Sequence, residues 1–511
     1  MCGFLFVEQA GGNRITSARF ESALNRQGWR GPDSQNTMLI DDGRFLIGHN
    51  RLSIIDPIAR SDQPMVSRDG RYIIAYNGEI YNHLAIRRQL GIAFQTTSDT
   101  ETLLEGYALI GEKIFELLDG MFSLVILDRQ TGRWIAARDA LGIKPLFIGR
   151  AADGAKVLGS EAAVVAMLVE AKPCPLAIAE WRLIRRPLPG KSFFQGVDEI
   201  LPGTVRRHDG TVASFWTPTP SDQPYEQETF ESLMRETVFQ HELSDVQNVA
   251  LLSGGLDSAV ITALSTVSRT YCVGLTGNNE FNGAAETAAI LGRELLTVSI
   301  TPESLRDSWR ELALLRGEPL GLPNEGLIYA VCNAMQPMEK VVLTGEGADE
   351  LLFGYDGIYR WAVSTSWQGV GTFLSRYGYS ETTQPTDRLI HYIETLRGGR
   401  NHIEFVEDYF YSVHLPGLLR RMDFASMAAS KEARVPFVSK QLINYMYRRP
   451  SEIKINSTES KLPLRAMAAK LGLTGALNRK KIGFSAQIER NNSRFVEYAE
   501  FQKIVLEALK W

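Results

Sequence analysis

The stretch VALLSGGLDSAVITALS, residues 249–265, decides the fold of the second half of the chain. A short apolar run precedes a glycine turn, and residues that favour a helix follow it. Glycines let backbone N–H groups approach a ligand, and a helix N-terminus carries positive partial charge, so SGGLDS (253–258) predicts an anion-binding loop. An ordinary glycine turn is the simpler alternative. Asp257 would repel a bare phosphate, and it makes sense there if Mg²⁺ bridges it to the phosphates.

The patterns downstream of this loop predict an open parallel sheet. The runs RTYCVGL (269–275) and KVVLTG (340–345) are further strand candidates, and helical segments separate them. That alternation is typical of a doubly wound α/β fold. The segment TGEGADELLFGY (344–355) crowds carboxylates beside glycines where the second run ends. Open α/β sheets bind ligands at that edge, so the segment predicts part of a binding site. An acidic turn on the surface is the alternative interpretation.

The first two hundred residues have a different pattern, rich in short strands. Candidate strands lie at 2–7, 44–55, 71–78, 121–128 and 133–139. A helix is predicted over 100–111, with Asp99 or Thr100 as its cap. The proline-containing stretch 216–229 is typical of a linker. We therefore expect two domains, at 1–215 and 230–511.

Composition excludes several classes of protein. The 511 residues are too many for one core, and a net charge of -4 gives no basic surface for nucleic acid. Four scattered cysteines argue against a disulfide framework and favour a reducing compartment. No secretory signal is recognisable, and the longest apolar runs are too short to span a membrane. The expected location is the cytoplasm.

Cys2 directly follows Met1, and two interpretations are open. It is either a buried thiol in a first strand or a nucleophile that acts once Met1 is removed, with its own α-amine as the base. Three polar stretches accompany it in the first half, HNRLSII (49–55), YNGEIYN (76–82) and SDTE (98–101).

These motifs together resemble glutamine-dependent asparagine synthetase. SGGLDS is similar to the pyrophosphate loop of the ATP-pyrophosphatase group, and the N-terminal motifs are similar to those of class II glutamine amidotransferases. The resemblance runs from Cys2 to about Phe484. It implies an N-terminal-nucleophile αββα glutaminase sandwich followed by a doubly wound parallel α/β domain of the ATP-pyrophosphatase type. It also implies ATP and Mg²⁺ as cofactors, an internal ammonia tunnel and a homodimer.

In the first domain the resemblance implies a glutamine site around a Cys2 nucleophile. Arg51 would bind the α-carboxylate, Asn77 and Gly78 would donate to the oxyanion, and Glu79 and Asp99 would hold the α-amine. One cation and two anions suit a zwitterion. The implied glutamine-binding residues are Arg51, Leu52, Ser53, Ile54, Ile55, Asn77, Gly78, Glu79 and Asp99.

In the second domain the resemblance implies a site that adenylates a carboxylate. Asp257 and Asp349 would hold Mg²⁺, Glu346 would transfer a proton during amide formation, and Lys461 would stabilise charge in the adenylation transition state. The implied ATP-binding residues are Leu252, Ser253, Gly254, Gly255, Leu256, Asp257, Ser258, Val273, Thr344 and Gly345.

The chain also departs from the family pattern. Trp29 stands in GWRGPD (28–33) where the family commonly has histidine, so that histidine is not essential here. Pro323, Asn324 and Glu325 stand where the family often has small hydroxyl residues near the substrate. EARVPF (432–437) matches a family segment, but we assign it no chemistry.

Several functions therefore stay open. Conversion of aspartate to asparagine is the default, and amidation of another acid, such as a uronic acid of a surface polysaccharide, is the alternative. A β-lactam synthetase is disfavoured because those enzymes lack the working N-terminal cysteine and usually have tyrosine where Glu346 stands. A scaffold protein with decayed sites is disfavoured because both sets of motifs are intact.

Overall fold

The computed structural model describes residues 2–10, 15–479 and 494–511. Its first part contains two six-stranded antiparallel sheets, the arrangement that the family resemblance implies for this strand-rich region. The strands of this part are β1 (Gly3–Glu8), β2 (Ser34–Ile40), β3 (Phe45–Arg51), β4 (Met65–Val66), β5 (Tyr72–Ile80), β6 (Gly120–Asp128), β7 (Arg133–Arg138), β8 (Phe147–Arg150), β9 (Lys156–Gly159), β10 (Val197–Glu199), β11 (Thr204–Arg207) and β12 (Val212–Ser214). One sheet has the order β10-β8-β9-β1-β3-β2, and the other has the order β12-β11-β7-β6-β5-β4.

The two sheets pack face to face, with helices outside both. The helices are α1 (Ser17–Arg26), α2 (His83–Leu90), α3 (Asp99–Ile110), α4 (Ile114–Leu117), α5 (Ala162–Val169) and α6 (Pro175–Ile184). Phe6 of β1 meets Trp134 of β7 between the sheets. Leu124 of β6 faces Leu103 of α3 on one outer face, and Leu5 of β1 faces Leu24 of α1 on the other. The predicted αββα sandwich is confirmed.

The predicted strands agree with β1, β3, β5, β6 and β7, but the predicted cap of α3 is wrong by one residue. Ser98 is the N-cap, and its hydroxyl accepts a hydrogen bond from the N–H of Thr100. Asp99 is instead the first helical residue. Its carboxylate accepts from the Tyr76 hydroxyl at 2.7 Å and from the Ile80 N–H at 3.0 Å, so it serves strand β5 as well as its own helix.

The second part contains a five-stranded sheet in which every pairing is parallel. Its strands are β13 (Gln247–Leu251), β14 (Arg269–Leu275), β15 (Glu294–Ile300), β16 (Glu339–Leu343) and β17 (Glu432–Arg434). The order is β15-β14-β13-β16-β17, so the chain moves outward from β13 to one edge and then returns to its other side. The ends of β13 and β16 therefore flank a topological switch point, where such sheets bind ligands.

The second part also contains helices, and some of them cover the two faces of this sheet. They are α7 (Gln227–His241), α8 (Leu256–Leu264), α9 (Phe281–Leu291), α10 (Pro302–Arg316), α11 (Glu325–Asn333), α12 (Ala348–Leu351), α13 (Asp356–Ser364), α14 (Val370–Tyr377), α15 (Asp387–Arg397), α16 (His402–Tyr409), α17 (Leu415–Ala428), α18 (Lys440–Met446), α19 (Ser451–Lys454), α20 (Leu462–Lys470), α21 (Thr474–Asn478) and α22 (Arg494–Leu509). Helices α10, α11 and α17 pack on one face, and α7, α8 and α20 pack on the other. The doubly wound parallel fold is confirmed. Helix α7 begins at Gln227, inside the predicted linker, because Phe230 and Met234 have a core to pack against.

Helix α22 joins the two parts of the molecule. Phe501 contacts Trp309 of α10 at 5.2 Å between ring centroids and Trp181 of α6 at 6.4 Å. Trp511, just beyond the helix, packs edge to face on Phe194 at 5.4 Å. One continuous apolar cluster thus includes side chains from both domains. Within the described parts of the chain, none of the helices is long and apolar enough to cross a membrane.

Candidate active sites

Cys2 lies buried at the start of β1, beside strand β5. Its N–H donates to Oδ1 of Asn77 at 3.0 Å, and its carbonyl accepts from Nε of Arg30 at 2.9 Å. Burial raises the pKa of the Cys2 thiol above its ordinary value, and the Leu52 N–H and the charge of Arg51 oppose that effect. The thiol is therefore protonated near neutral pH, and it needs a base before it can act as a nucleophile.

Several buried polar atoms near Cys2 have no partner among the described residues, and two of them belong to predicted glutamine-binding residues. These two are Nδ2 of Asn77 and Oε1 of Glu79. Buried polar groups are rarely left unpaired, so a donor and an acceptor in this position fit a polar ligand. Gly78, between them on β5, packs so tightly on β6 that an added Cβ would lie 2.2 Å from the Met121 carbonyl oxygen. Strand pairing therefore fixes the backbone of this segment.

The other predicted glutamine residues surround the same place. Both terminal nitrogens of Arg51 are engaged, with the carbonyls of residues 55, 56 and 58 and with Asp62 at 2.7 Å. The guanidinium would exchange one of these bonds to bind a carboxylate. Leu52 and Ile54 pack on the second domain, and the N–H of Ser53 donates to Asp33 at 2.7 Å. Ile55 contributes its carbonyl to Arg51.

Glu79 also reaches the second domain. Its Oε2 accepts from Arg434 of β17 at 3.0 Å, and Arg434 binds Glu432 at 2.6 Å. Burial, followed by the nearby Asp99 charge, raises the pKa of Glu79, and Arg434 opposes them. The backbone carbonyl of Arg434 accepts from the N–H of Thr344 at 3.0 Å, on the loop after β16. One residue therefore contacts both predicted sites.

A cavity of about 540 Å³ lies at the switch point of the parallel sheet. All ten residues predicted to bind ATP line it, together with Glu346, Asp349 and Lys461. The loop after β13 is held by its own serines, because the Ser258 hydroxyl accepts from the N–H of Ser253 at 3.0 Å and the Ser253 hydroxyl accepts from the N–H of Gly255 at 3.1 Å. Gly345 packs against Asp257, where a Cβ would lie at 2.9 Å.

Asp257 and Asp349 converge on a single cation, the ammonium of Lys461. Its Nζ lies 2.6 Å from both carboxylate oxygens of Asp257 and 2.7 Å from Oδ1 of Asp349. Burial lowers the pKa of Lys461, but the two carboxylates outweigh burial and hold that pKa above its ordinary value. Lys461 has a left-handed backbone with φ of 58°, a conformation that costs energy outside glycine and that recurs at functional sites. An added Cβ at Gly354 would strike both Asp349 and Lys461.

Glu346 is held by Arg421 of α17, which also donates to Asn324 at 3.2 Å. Of the three departures from the family pattern at 323–325, only Asn324 lines the cavity. The Pro323 carbonyl accepts from Trp309 at 2.6 Å, and Glu325 accepts from backbone N–H groups of its own turn. Pro323 and Glu325 therefore support the fold of this loop and do not reach the cavity.

No group of three or more histidine, cysteine, aspartate or glutamate side chains suited to a metal occurs within residues 2–10, 15–479 and 494–511. Mg²⁺ is usually bound by one or two carboxylates plus substrate phosphates and waters. The convergence of Asp257 and Asp349 on one positive charge fits that smaller donor set.

Comparison with known proteins identifies the family. A model described as a glutamine amidotransferase domain matches residues 1–216, and a model described as asparagine synthase matches residues 229–509. The chain belongs to the asparagine synthase family. The chain is 28% identical to asparagine synthetase [glutamine-hydrolyzing] 3 of Bacillus subtilis, over 94% of this chain and 86% of that protein. It is also 28% identical to asparagine synthetase [glutamine-hydrolyzing] 1 of the same organism, over 90% and 82%.

Among solved structures, glutamine phosphoribosylpyrophosphate amidotransferase from B. subtilis is similar to 74% of this chain. The match covers 79% of that chain, with a TM-score of 0.33 and 16% identity.

Sequence reasoning about this asparagine synthase family chain missed four arginines: Arg30, Arg185, Arg421 and Arg434. Arg434 lies in EARVPF, a segment that was recognisable without a role. Arg30 joins Cys2 to Asp423 of the second domain at 2.8 Å. Arg185 and Arg421 line the synthetase cavity from α6 and α17, and no local motif marks either of them.

Trp29 packs on Phe424 at the domain interface, 5.2 Å between centroids.

Proposed function

We propose that this protein hydrolyses glutamine at Cys2 and uses the ammonia to convert an adenylated carboxylic acid to its amide. Two groups of contacts support the proposal, one around Cys2 and one around the cavity at the switch point of the parallel sheet. One observation carries the proposal that the two groups work as a pair: Arg434 binds Glu79 through its side chain and Thr344 through its backbone.

In the first site the Cys2 thiolate attacks the amide carbon of glutamine, after its own α-amine takes the proton. The unpaired Nδ2 of Asn77 and the Gly78 N–H donate to the oxyanion that forms. Oε1 of Glu79 accepts from the substrate ammonium, and Arg51 and Asp99 complete the recognition of the zwitterion. Ammonia leaves, and water releases glutamate from the thioester.

In the second site the loop 253–258 binds the phosphates of ATP through its backbone N–H groups. An oxygen of the acceptor carboxylate attacks the α-phosphorus, and pyrophosphate leaves. Lys461 stabilises the charge that develops on the phosphate. Asp257 and Asp349 would hold Mg²⁺, which would neutralise phosphate charge. Ammonia then attacks the acyl carbon, Glu346 accepts a proton, and AMP leaves.

Aspartate is the proposed acceptor by likeness to the asparagine synthetases of B. subtilis. Amidation of a different acid, such as a uronic acid, is the second candidate. The observation that supports this second candidate is Asn324, which brings an amide to the cavity wall where the family often has a hydroxyl.

The test is pyrophosphate release with Mg-ATP, glutamine or ammonia, and a panel of carboxylic acids. The panel contains aspartate, succinate, β-alanine, propionate, glucuronate and UDP-glucuronate. The proposed function predicts release with at least one acid and formation of its amide. Release with none of them, while glutamine is still hydrolysed, would contradict the synthetase half of the proposal.

The Cys2→Ala variant tests the glutaminase half. We expect it to lose glutamine-dependent amide formation and to keep ammonia-dependent formation, because the thiol takes part only in glutamine hydrolysis. Intact mass should show that Cys2 is the first residue of active protein, since a free α-amine is required; Met1 itself lies outside the described residues. Retained Met1 in active protein would be inconsistent with the mechanism.

A further inference from the structure

Arg185 belongs to the first domain but lines the cavity of the second. It follows the last turn of α6 and adopts a left-handed backbone, with φ of 67°. The guanidinium lies 4.1 Å from the centroid of the Tyr379 ring. Its Nε is buried without a hydrogen-bond partner among the described residues. The fold thus holds an arginine head at the wall of the cavity.

The groups that contact Arg185 do not balance its charge. Nη2 donates to Nδ1 of His414 at 2.7 Å and to the Tyr377 hydroxyl at 3.3 Å. Burial, followed by Arg185 and Arg421, holds the pKa of His414 far below its ordinary value, so this histidine is neutral. Its Nδ1 accepts, which leaves Nε2 to donate to the Tyr355 hydroxyl at 3.1 Å. No salt bridge to Arg185 occurs in the parts of the chain that the structure describes.

Burial, followed by the charges of Asp349 and Glu346, raises the pKa of Glu350 to about 8, so this carboxyl, 3.4 Å from Nε2 of His414, is largely uncharged near neutral pH. Three carboxylates that line the cavity already have cationic partners. Glu346 binds Arg421, Asp356 lies 3.6 Å from Arg360, and Asp349 binds Lys461. A positively charged amine on a substrate would compete with an arginine or a lysine for each of them. The Arg185 end of the cavity therefore favours a negative group and offers little to an ammonium.

We propose that Arg185 binds a second anionic group of the acceptor, so that the substrate is a carboxylic acid with another carboxylate or a phosphate. This inference rests on the proposed function and specifies its substrate class. Arginine suits the task because its planar donors match carboxylate and phosphate oxygens, and a partly buried, uncompensated guanidinium makes such bonds strong. An α-amine on the acceptor is not required.

The acid panel tests this proposal through matched pairs. Aspartate and succinate carry a second carboxylate, whereas β-alanine and propionate lack it; UDP-glucuronate carries a diphosphate that glucuronate lacks. We expect kcat/KM, in pyrophosphate release with ammonia, to fall about 10- to 100-fold within a pair when the second anion is removed. Equal use of β-alanine and aspartate, or of glucuronate and UDP-glucuronate, would overturn the proposal.

The Arg185→Gln variant should remove this discrimination, mainly by raising KM for the dianionic acid, while KM for Mg-ATP stays unchanged. Arg185→Lys should restore part of it, because the charge returns without the planar donors. Arg182→Gln, on the exposed side of the same helix, is the matched control. An Arg185→Gln enzyme with the wild-type ratio between pair members would refute the assignment.

Calorimetry separates a failure here from a failure of the proposed function. If no acid releases pyrophosphate, the synthetase reaction has failed, and binding of succinate and UDP-glucuronate is titrated directly. Binding that weakens about 10-fold or more in Arg185→Gln supports the anion site on its own. Absence of binding by both probes, or equal binding by the two proteins, rejects it.

Discussion

At the scale of single residues, the most informative feature is a donor that the fold leaves unused. The side chain of Asn77 accepts from the N–H of Cys2 through Oδ1, and its buried Nδ2 has no partner among the residues that the structure describes. A buried donor without a partner costs stability, so its retention beside a cysteine is best explained by a task during catalysis.

Replacing Asn77 with alanine should lower glutamine-dependent turnover about 100- to 1000-fold, the usual cost of losing one oxyanion donor. Ammonia-dependent amide formation should persist, because Asn77 lies in the predicted glutamine site and not in the cavity where the amide would form. The measurement is glutamate release alongside amide formation with each nitrogen source.

Asn333→Ala, on the exposed side of α11, is the matched control, and it should leave both activities at wild-type levels. A loss of ammonia-dependent activity in Asn77→Ala equal to the loss with glutamine would argue that the asparagine is only structural.

Many of the candidate site residues could be predicted from the sequence, because they lie within short motifs. SGGLDS, GEGADE and NGE each keep their chemistry within a few neighbouring positions, and the structure brings the residues of each motif into one of two sites. Arg185 and Arg421 could not be found this way. Each reaches the cavity from a helix distant in sequence, and their significance depends on which partners the tertiary fold places beside them.

At the scale of elements, strand β10 is held by an ion pair that depends on pH. Glu199 lies 2.9 Å from Arg138 of β7 and 2.8 Å from Arg186. It therefore ties the edge of one sheet to the other sheet. Burial alone would raise the pKa of Glu199, but the charges of Arg186, Arg138 and Arg420 lower it to about 2.

Because the pKa of Glu199 is lower in the folded state than its ordinary 4.5, the unfolded chain binds the proton more tightly. The stabilisation is fully present above pH 4.5 and is lost as pH falls from 4.5 toward 2. Its size is about 3 kcal/mol. Glu199→Gln should therefore lower the free energy of unfolding at neutral pH and flatten its decline in acid, as measured by urea unfolding at several pH values.

Asp198→Asn is the control for this experiment, since Asp198 is the exposed neighbour in β10 and pairs with the exposed Lys191. Exposed pairs contribute about 0–1 kcal/mol. A Glu199→Gln protein with the wild-type acid profile would show that the ion pair does not shape that profile.

The elements themselves were largely predictable, and the exceptions have local causes. Short apolar runs, most of them bounded by turn residues, predicted β1, β5 and β6. The cap of α3 was misplaced because aspartate is a residue type that commonly caps helices. In the fold the Asp99 carboxylate instead accepts hydrogen bonds from Tyr76 and Ile80. The π-helical turn at Phe410–His414, between α16 and α17, leaves no simple mark in the sequence.

At the scale of the whole molecule, Arg434 contacts residues of both predicted sites. Its guanidinium binds Glu79, Glu432 and the carbonyls of His241 and Leu243, so it is held from several sides. A change at the Thr344 loop when ATP binds can be transmitted to Glu79 through this one residue.

Coupling through Arg434 predicts that Mg-ATP and acceptor stimulate glutamine hydrolysis in the wild-type protein, and that Arg434→Lys weakens this stimulation. Lysine keeps the charge but loses the fork that binds several groups at once. We expect the stimulation of glutaminase by Mg-ATP to drop about 5-fold or more, and glutamate to exceed pyrophosphate among the products.

Lys440→Met is the control, because Lys440 also crosses the domain interface, to the Leu118 carbonyl at 2.6 Å, without contact to either site. Wild-type stoichiometry in Arg434→Lys would show that coupling takes another route.

Helix α22 has a consequence for how the protein is made. Trp181 and Phe194 belong to the first domain, but their partners on and beside α22 are translated only after nearly all of the second domain. The glutaminase half therefore emerges from the ribosome with an apolar patch that nothing yet covers. Such surfaces attract chaperones and other nascent chains. The first domain therefore stays incompletely packed during synthesis until α22 has been translated.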